Sequence, residues 1–438
     1  MTAWPLRTLA ELDGVGDRVH AFARDLYPIC RSITGDGVRQ TLAAVGEHIP
    51  LDVHEVPSGT AVFDWTVPQE WNIHAGWLRD PSGRIVVDFA DSNLHVLNYS
   101  VPVHQRMDLA ALKNHLISLP EQPDLIPYRT SYYRETWGFC LPHRQLEALP
   151  EGEYEVFIDS TLAPGHLSYG EHVIPGASEE EILITAHVCH PSLANDNLSG
   201  IGLLTMLAAE LAKIGHRYTY RFLLIPGTIG SITWLSRNED RVDRIRHGLV
   251  LSCLGDGGGP TYKASRRGDA AVDRAARHVL GTQFEAPRLE DFSPYGYDER
   301  QFCSPGFNLP VGLLERSKYG EFPEYHTSAD NLDFISPMHL DESFRMIVHI
   351  LDVLENDRTC VSTNPKCEPQ LGKRGLYQAI GGDKDAARKQ MAMLWALNLA
   401  DGQHSVLDMA ERAGIPFGIM SDTCAILEES GLLEVQDP

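Results

Sequence analysis

No stretch of this 438-residue sequence approaches the roughly 18 consecutive apolar residues of a membrane span. That shortage removes a helical membrane protein from consideration. Basic residues are also scarce, 37 Lys and Arg against 60 Asp and Glu, and the formal charge of −23 opposes nucleic-acid phosphates and anionic lipid. The eight cysteines, at 30, 140, 189, 253, 303, 360, 367 and 424, include no CxxC pair. Zinc ribbons and dense disulfide frameworks are therefore excluded, and reduced thiols in the cytoplasm are expected. The first 24 residues carry Glu11, Asp13 and Asp17 and have no apolar core, unlike a signal peptide. A run of glycines at Gly257-Gly258-Gly259 lacks the GxxxxGK[ST] arrangement of a phosphate loop.

What is present is 43% hydrophobic and 22% charged, ordinary for a packed protein of two or three domains. Between about Thr60 and Gly170, short alternating runs such as Arg84 to Phe89 are separated by Pro, Gly and Asp and predict small strands and turns. From Glu179 apolar runs alternate with helical patterns, which predicts βαβ units around a buried, largely parallel sheet. Strands are expected at Ile182 to His187, Tyr218 to Ile225, Leu249 to Leu254 and Leu309 to Leu314, and a helix at Gly200 to Ile214. Gly14 to Val53 supplies a helix and a strand that join this α/β part if the β-rich segment is an insertion. After Asn364, prolines and glycines including the Gly381-Gly382 pair mark another boundary. Three short helices and a final strand then resemble a winged helix. Its seven Lys/Arg against eleven Asp/Glu from residue 366 onward give −4, the wrong sign for a DNA reader, so it is expected to act as an interface or lid. The predicted organisation is residues 1–60 with 171–360, an insert at 61–170, and a terminal module at 366–438.

The chemistry concentrates in Ile182-Leu-Ile-Thr-Ala-His187-Val-Cys189-His190-Pro-Ser-Leu-Ala-Asn195-Asp196-Asn197-Leu-Ser-Gly200. An apolar strand delivers His187 at its carboxyl end, where open α/β sheets bind ligands, and the following loop offers Asp196. Zinc takes imidazole nitrogen and carboxylate oxygen, and a catalytic site needs about three protein ligands. His326, in Glu324-Tyr325-His326-Thr327, is the best third candidate. Any single histidine among nineteen is more commonly a satisfied core or surface residue; the combination is what points to metal. His190 has the right donor but lies beside His187, and two ligands so close in a non-helical loop rarely share one tetrahedral ion.

These residues carry a resemblance. His187, Asp196 in Asp-Asn-Leu-Ser-Gly, and His326 resemble the zinc aminopeptidase family, which includes glutamate carboxypeptidase-like and glutaminyl-cyclase-like members. Together with Arg31-Ser-Ile-Thr-Gly-Asp-Gly37 and Thr228-Ile-Gly-Ser231, the motifs look like the bacterial aminopeptidase-like domain proteins of polysaccharide and natural-product biosynthesis. The resemblance implies an α/β fold with a mixed, mostly parallel sheet flanked by helices, an inserted small β-rich domain and a C-terminal winged helix. It also implies a zinc-dependent hydrolase of an amide or peptide bond in a small biosynthetic substrate, with one zinc ion or two. His187 and His326 match its terminal ligands, and Asp196 its bridging carboxylate. Where the family has a Glu-Glu pair, one glutamate acting as general base, this chain has Gly227-Thr228. Where a further Asp ligand ends the next strand it has Cys253, so either Cys253 ligates, or Asp256 reaches back, or the second metal is absent; His190 is a separate additional candidate.

Amide hydrolysis needs a proton carrier worth about two to four powers of ten in rate, which Gly227 cannot supply. Glu324 is the nearest alternative in sequence, and Asp298 or Glu299 in Tyr297-Asp298-Glu299-Arg300 could serve if that loop closes over the site; a role orienting an imidazole suits Glu324 equally. Arg31, Asp298, Glu299 and Tyr325 are the candidates for substrate binding, although Arg31 in a turn more commonly has a structural meaning. Tyr128, Tyr132, Tyr133 and Trp137 with Arg129 and Arg134 could line a channel or pack a sheet edge. The expected partner is a small amine- or peptide-containing substrate, with no nucleic acid or membrane, and with self-association through the C-terminal module. The opposing expectation, motivated by Gly227, is a metal-binding or scaffold protein without turnover.

Overall fold

The computed structural model describes residues 3–376 and 384–436. The predicted Gly381-Gly382 break lies outside the described residues. Eight strands form the principal sheet: β1 (Asp52–Pro57), β2 (His166–Ile174), β3 (Glu181–His187), β4 (Thr219–Ile225), β5 (Ile245–Leu251), β6 (Thr261–Lys263), β7 (Arg288–Glu290) and β8 (Val311–Glu315). Their spatial order is β1-β2-β4-β3-β5-β8-β6-β7. The four central strands β4, β3, β5 and β8 are mutually parallel, while β1–β2, β2–β4 and β6–β8 pair antiparallel. This is the mixed, mostly parallel sheet expected from the sequence.

Both faces are covered, so the strands read as continuous apolar runs while the pleat still sorts their side chains. Ile182, Ile184 and Ala186 join one core with helices α1 (Val15–Leu26), α2 (Asp36–Gly46), α3 (Gly200–Leu211), α5 (Ala271–Gln283) and α7 (Pro337–Asn356). Leu183 points to the other core, with Ile229, Ile232 and Trp234 of α4 (Ile229–Arg237) and Phe302 of the short α6 (Glu299–Phe302). His187 has the parity of Leu183. It therefore emerges at the strand end on the second face, against which the β-rich insert packs through Trp71 and Tyr99.

The insert leaves and returns at one point, because Pro57 of β1 pairs with His166 of β2. Two adjacent antiparallel strand ends accept an inserted domain with little disturbance. Its own four-stranded antiparallel sheet has the order Ile85–Asp88, Glu70–Arg79, Glu153–Ala163, Val103–Asp108, with a separate core built on Leu78, Tyr154, Val156 and Phe139. The chain thus re-enters the main sheet at His166, earlier than residue 171, since β2 needs β1 and β4 as pairing partners. The terminal module likewise begins earlier than residue 366. Thr359–Ser362 pairs with both Asp401–Ser405 and Leu433–Val435 and belongs to that module's sheet. Its helices α8 (Lys384–Leu399), α9 (Val406–Ala413) and α10 (Phe417–Glu429) share the first core with α7. Arg274 of α5 reaches Asp408 at 2.7 Å and Glu411 at 2.5 Å, and Arg7 reaches Asp422 at 2.5 Å. No helix among the described residues is long and apolar enough to cross a membrane, and all eight cysteines are free.

Candidate metal centre

Strand β3 ends in His187, and the chain then makes a loop and one wide turn, Ala194–Ser199, before α3. That turn carries Asp196 back over the strand end. His187 Nε2 lies 2.9 Å from Asp196 Oδ1, and both side chains are fully buried. His326 Nε2 lies 3.0 Å from the other oxygen, Oδ2, and His190 Nε2 lies 3.8 Å from the same atom. Three imidazoles from two distant segments thus surround one carboxylate. His187, His190 and Asp196 form the only group of three potential ligands among the described residues whose donor atoms all lie within 4.8 Å of one another.

Metal binding needs neutral imidazole and ionised carboxylate, and His190 and Asp196 meet this. Burial opposes the charge on Asp196, but His190, His187 and His326 together outweigh it and hold the carboxyl well below its ordinary range. Burial keeps His190 neutral by pushing its imidazole well below the usual value. The donors that close on one point, as a zinc ion needs, are His187, His190 and Asp196, because the loop turns the His190 ring back toward Asp196; His326 meets the other Asp196 oxygen and lies outside that group.

Other chain segments hold this cluster in place. Asp330 accepts the backbone N–H groups of Asn195 (2.6 Å) and Asp196 (3.0 Å), fixing the turn. His326 has φ = 54°, a left-handed conformation that costs a non-glycine residue about 1–2 kcal/mol. A seam with the insert stabilises it: Tyr128 N–H donates to the His326 carbonyl (2.8 Å) and Ser328 N–H to that of Ile126 (2.8 Å). Tyrosines wall the imidazoles. Tyr325 stacks on His326 at 4.0 Å between ring centroids, Tyr297 on His187 at 4.7 Å, and Tyr128 lies 5.0 Å from His326 and 5.1 Å from His190. The Tyr297 and Tyr325 hydroxyls meet at 3.0 Å.

Several expected roles meet a different geometry. Arg31 is buried and spends its guanidinium on the carbonyls of His190 (2.6 Å), Pro191 (2.8 Å) and Leu26 (2.8 Å), so it shapes the histidine loop and offers nothing to a substrate. Asp256 is saturated by Asn195 (2.8 Å), Ser317 (2.6 Å) and Gly258 (2.6 Å) and is not free to ligate. Cys253 is buried as a thiol, its ionisation opposed by burial and by Asp196, and it stands outside the ligand group. Glu324 is half-buried; its backbone carbonyl turns the loop by accepting Thr327 N–H (3.1 Å), while its carboxylate makes no hydrogen bond among the described residues. Glu299 Oε1 is paired with buried Lys263 at 2.7 Å. Asp298 is buried beside Gly227 and His187. Tyr325 lies against a ligand candidate rather than in open space. Asp330 and Tyr297 had no assigned role in the sequence; the one available signal was that Asp330 follows His326 by four residues in a polar loop.

The mostly parallel sheet flanked by helices, with its His/Asp cluster at the carboxyl end, is an aminopeptidase-like fold. The zinc aminopeptidase BSAP of Bacillus subtilis matches with a TM-score of 0.57 at 14% identity, over 78% of this chain and 95% of that one. A Shewanella amazonensis peptidase M28 precursor matches equally, TM-score 0.57 at 14% identity, over 80% and 95%. The chain belongs to the family described as Domain of unknown function (DUF4910), whose model matches residues 20–357, and a winged helix-turn-helix model matches residues 358–435. A Clostridium acetobutylicum protein whose name includes "polysaccharide biosynthesis protein with aminopeptidase-like domain" is 52% identical over 402 residues, 92% of each chain. A crystal structure from the same organism, with "peptidase" in its description, has a TM-score of 0.92 at 48% identity and covers 98% of both chains.

Proposed function

We propose that this protein is a zinc-dependent hydrolase that cleaves an amide or peptide bond next to a free amine in a small biosynthetic substrate. The observation that carries the reading is the convergence of His187, His190 and His326 on the two oxygens of buried Asp196. The aminopeptidase-like fold and the biosynthetic wording of the Clostridium acetobutylicum relative support the reaction class and the substrate's setting. Zinc bound by His187, His190 and Asp196 would polarise the scissile carbonyl and acidify water. The chain's own residues do the rest: Tyr128, Tyr297 and Tyr325 exclude water around the imidazoles, and Asp330 fixes the loop that presents Asp196. The free thiols suit a cytoplasmic enzyme.

The test is the metal content of the purified full-length protein and of His187→Ala, with turnover of an aminoacyl amide panel. Zinc at about one ion per chain or more, lost in the variant, is the expected result. A parent without zinc, or a variant that keeps it, rejects the site. Gly227 favours a second reading, a metal-retaining protein without turnover. For that reading no member of the panel is hydrolysed and Gly227→Glu creates activity.

A further inference from the structure

Gly227 sits in the turn between β4 and α4 and brings no side chain to the cluster. Its surroundings nevertheless contain a carboxylate. A Cβ built on residue 227 would stand 3.3 Å from Asp298 Oδ2 and 3.3 Å from His187 Cβ. A glutamate at this position would start in the space between these two groups. Asp298 reaches the same place from the head of α6, which packs against α4, rather than from the end of β4.

The two oxygens of Asp298 are treated differently. Oδ1 accepts the Ser231 hydroxyl at 2.7 Å, and Ser231 lies one turn into α4, the helix that follows Gly227. Oδ2, on the side of position 227, is buried without a hydrogen-bond partner. A fully buried, unpartnered carboxylate oxygen is costly, and proteins retain such groups where activity needs them. The titratable groups nearest Asp298 are His187 from β3 and Glu299 and Arg300 on its own helix. Glu299 likewise has one oxygen engaged, by Lys263, and one unpartnered, but the carboxylate that lies against position 227 and His187 is that of Asp298.

We propose that Asp298 is the proton carrier of the hydrolysis, standing in for the glutamate that position 227 lacks; the inference rests on the hydrolase reading above. Oδ2 takes one proton from the attacking water as the water oxygen bonds to the substrate carbonyl carbon and the carbonyl π pair moves onto its oxygen. When the C–N bond breaks, that pair re-forms the C=O bond. The departing nitrogen keeps the C–N electron pair and takes the proton from Asp298, which ends ionised as it began. Ser231 orients the carboxyl and is a positioning residue.

The experiment compares the full-length parent, Asp298→Asn and Asp298→Asn with Gly227→Glu. It measures zinc content, turnover of a panel of aminoacyl p-nitroanilides, and the thermal midpoint of the metal-free proteins at pH 8. Asp298→Asn is expected to keep the parent's zinc stoichiometry, to lose at least 100-fold in turnover, and to melt no lower than the parent, because it removes an unpaired buried charge. Adding Gly227→Glu is expected to recover at least tenfold. An Asp298→Asn variant within threefold of an active parent overturns the inference alone. So does one that sheds zinc or melts lower, since either result assigns Asp298 a structural or ligand role. A parent that binds no zinc or turns over no member of the panel overturns the hydrolase reading and this inference together.

Discussion

Asp196 is ionised in a place where burial alone would neutralise it, and what pays for this is the set of three imidazoles around it. His187, Asp196 and His326 could be picked out from residue type and motif, because a strand-terminal histidine, a loop carboxylate and a distant histidine are what a zinc site requires. Arg31 illustrates the opposite case. A cation beside hydroxyls reads as an anion site until its burial is known, and burial is not written in the local sequence. Its guanidinium is buried deeply enough to hold its pKa down at about 10, and it caps three carbonyls. Arg31→Met is expected to leave those carbonyls unsatisfied at about 1–3 kcal/mol each, so urea unfolding should show a loss of roughly 3 kcal/mol or more. Zinc retention should weaken as the His190 loop loosens. A substrate-binding arginine would instead raise KM and leave stability unchanged.

Among the elements, helix packing overrides helix propensity. Gly16 lies in the first turn of α1, where Ala would gain about 1 kcal/mol by propensity. Yet a Cβ there would stand 1.9 Å from the Pro337 carbonyl oxygen, and the Gly16 N–H donates to Asp341 at 2.7 Å. The obstruction is backbone and cannot rotate away. Gly16→Ala is therefore expected to destabilise by more than about 2 kcal/mol, seen as a lowered thermal midpoint. The central strands and α3 could be read from apolar runs and 3.6-residue spacing, whereas domain edges could not. β2 looks like part of the β-rich insert because its composition matches, and only its pairing with β1 and β4 shows where it belongs. The seam between residues 126–128 and 326–328 was equally hidden, since backbone hydrogen bonds between segments 200 residues apart leave no pattern in either one.

Across the whole molecule, the terminal module is fastened to the α/β part rather than presented to solvent. Arg7 lies 3.3 Å from Asp352 of α7 and 2.5 Å from Asp422 of α10, one cation serving two acids. Burial pushes the Asp352 carboxyl up to about 6; Arg7 lowers it, but by less than burial raises it. Because the folded value exceeds the ordinary 3.8, this group's stabilising contribution is complete below about pH 4 and is lost as the pH rises through 6. Between pH 4.5 and 7.5, Asp352→Asn should therefore lose less stability than the parent, by on the order of 2 kcal/mol, measured as the difference in urea midpoints. An equal pH response in both proteins would contradict this account.

The acidic balance, the fold class, the winged terminal module and three of the residues around the candidate metal were determined by the sequence itself. Composition, hydrophobic period and motif spacing are local properties, and each has a direct physical meaning. Tertiary structure alone decided that His190 turns toward Asp196, that Arg31 and Asp256 are already engaged, and that a carboxylate stands beside Gly227. Those facts depend on which side chains meet across the end of the sheet. Asp298 lies 71 positions from Gly227 in the chain, and only the packing of α6 against α4 brings its unpartnered oxygen to the place where a glutamate is missing.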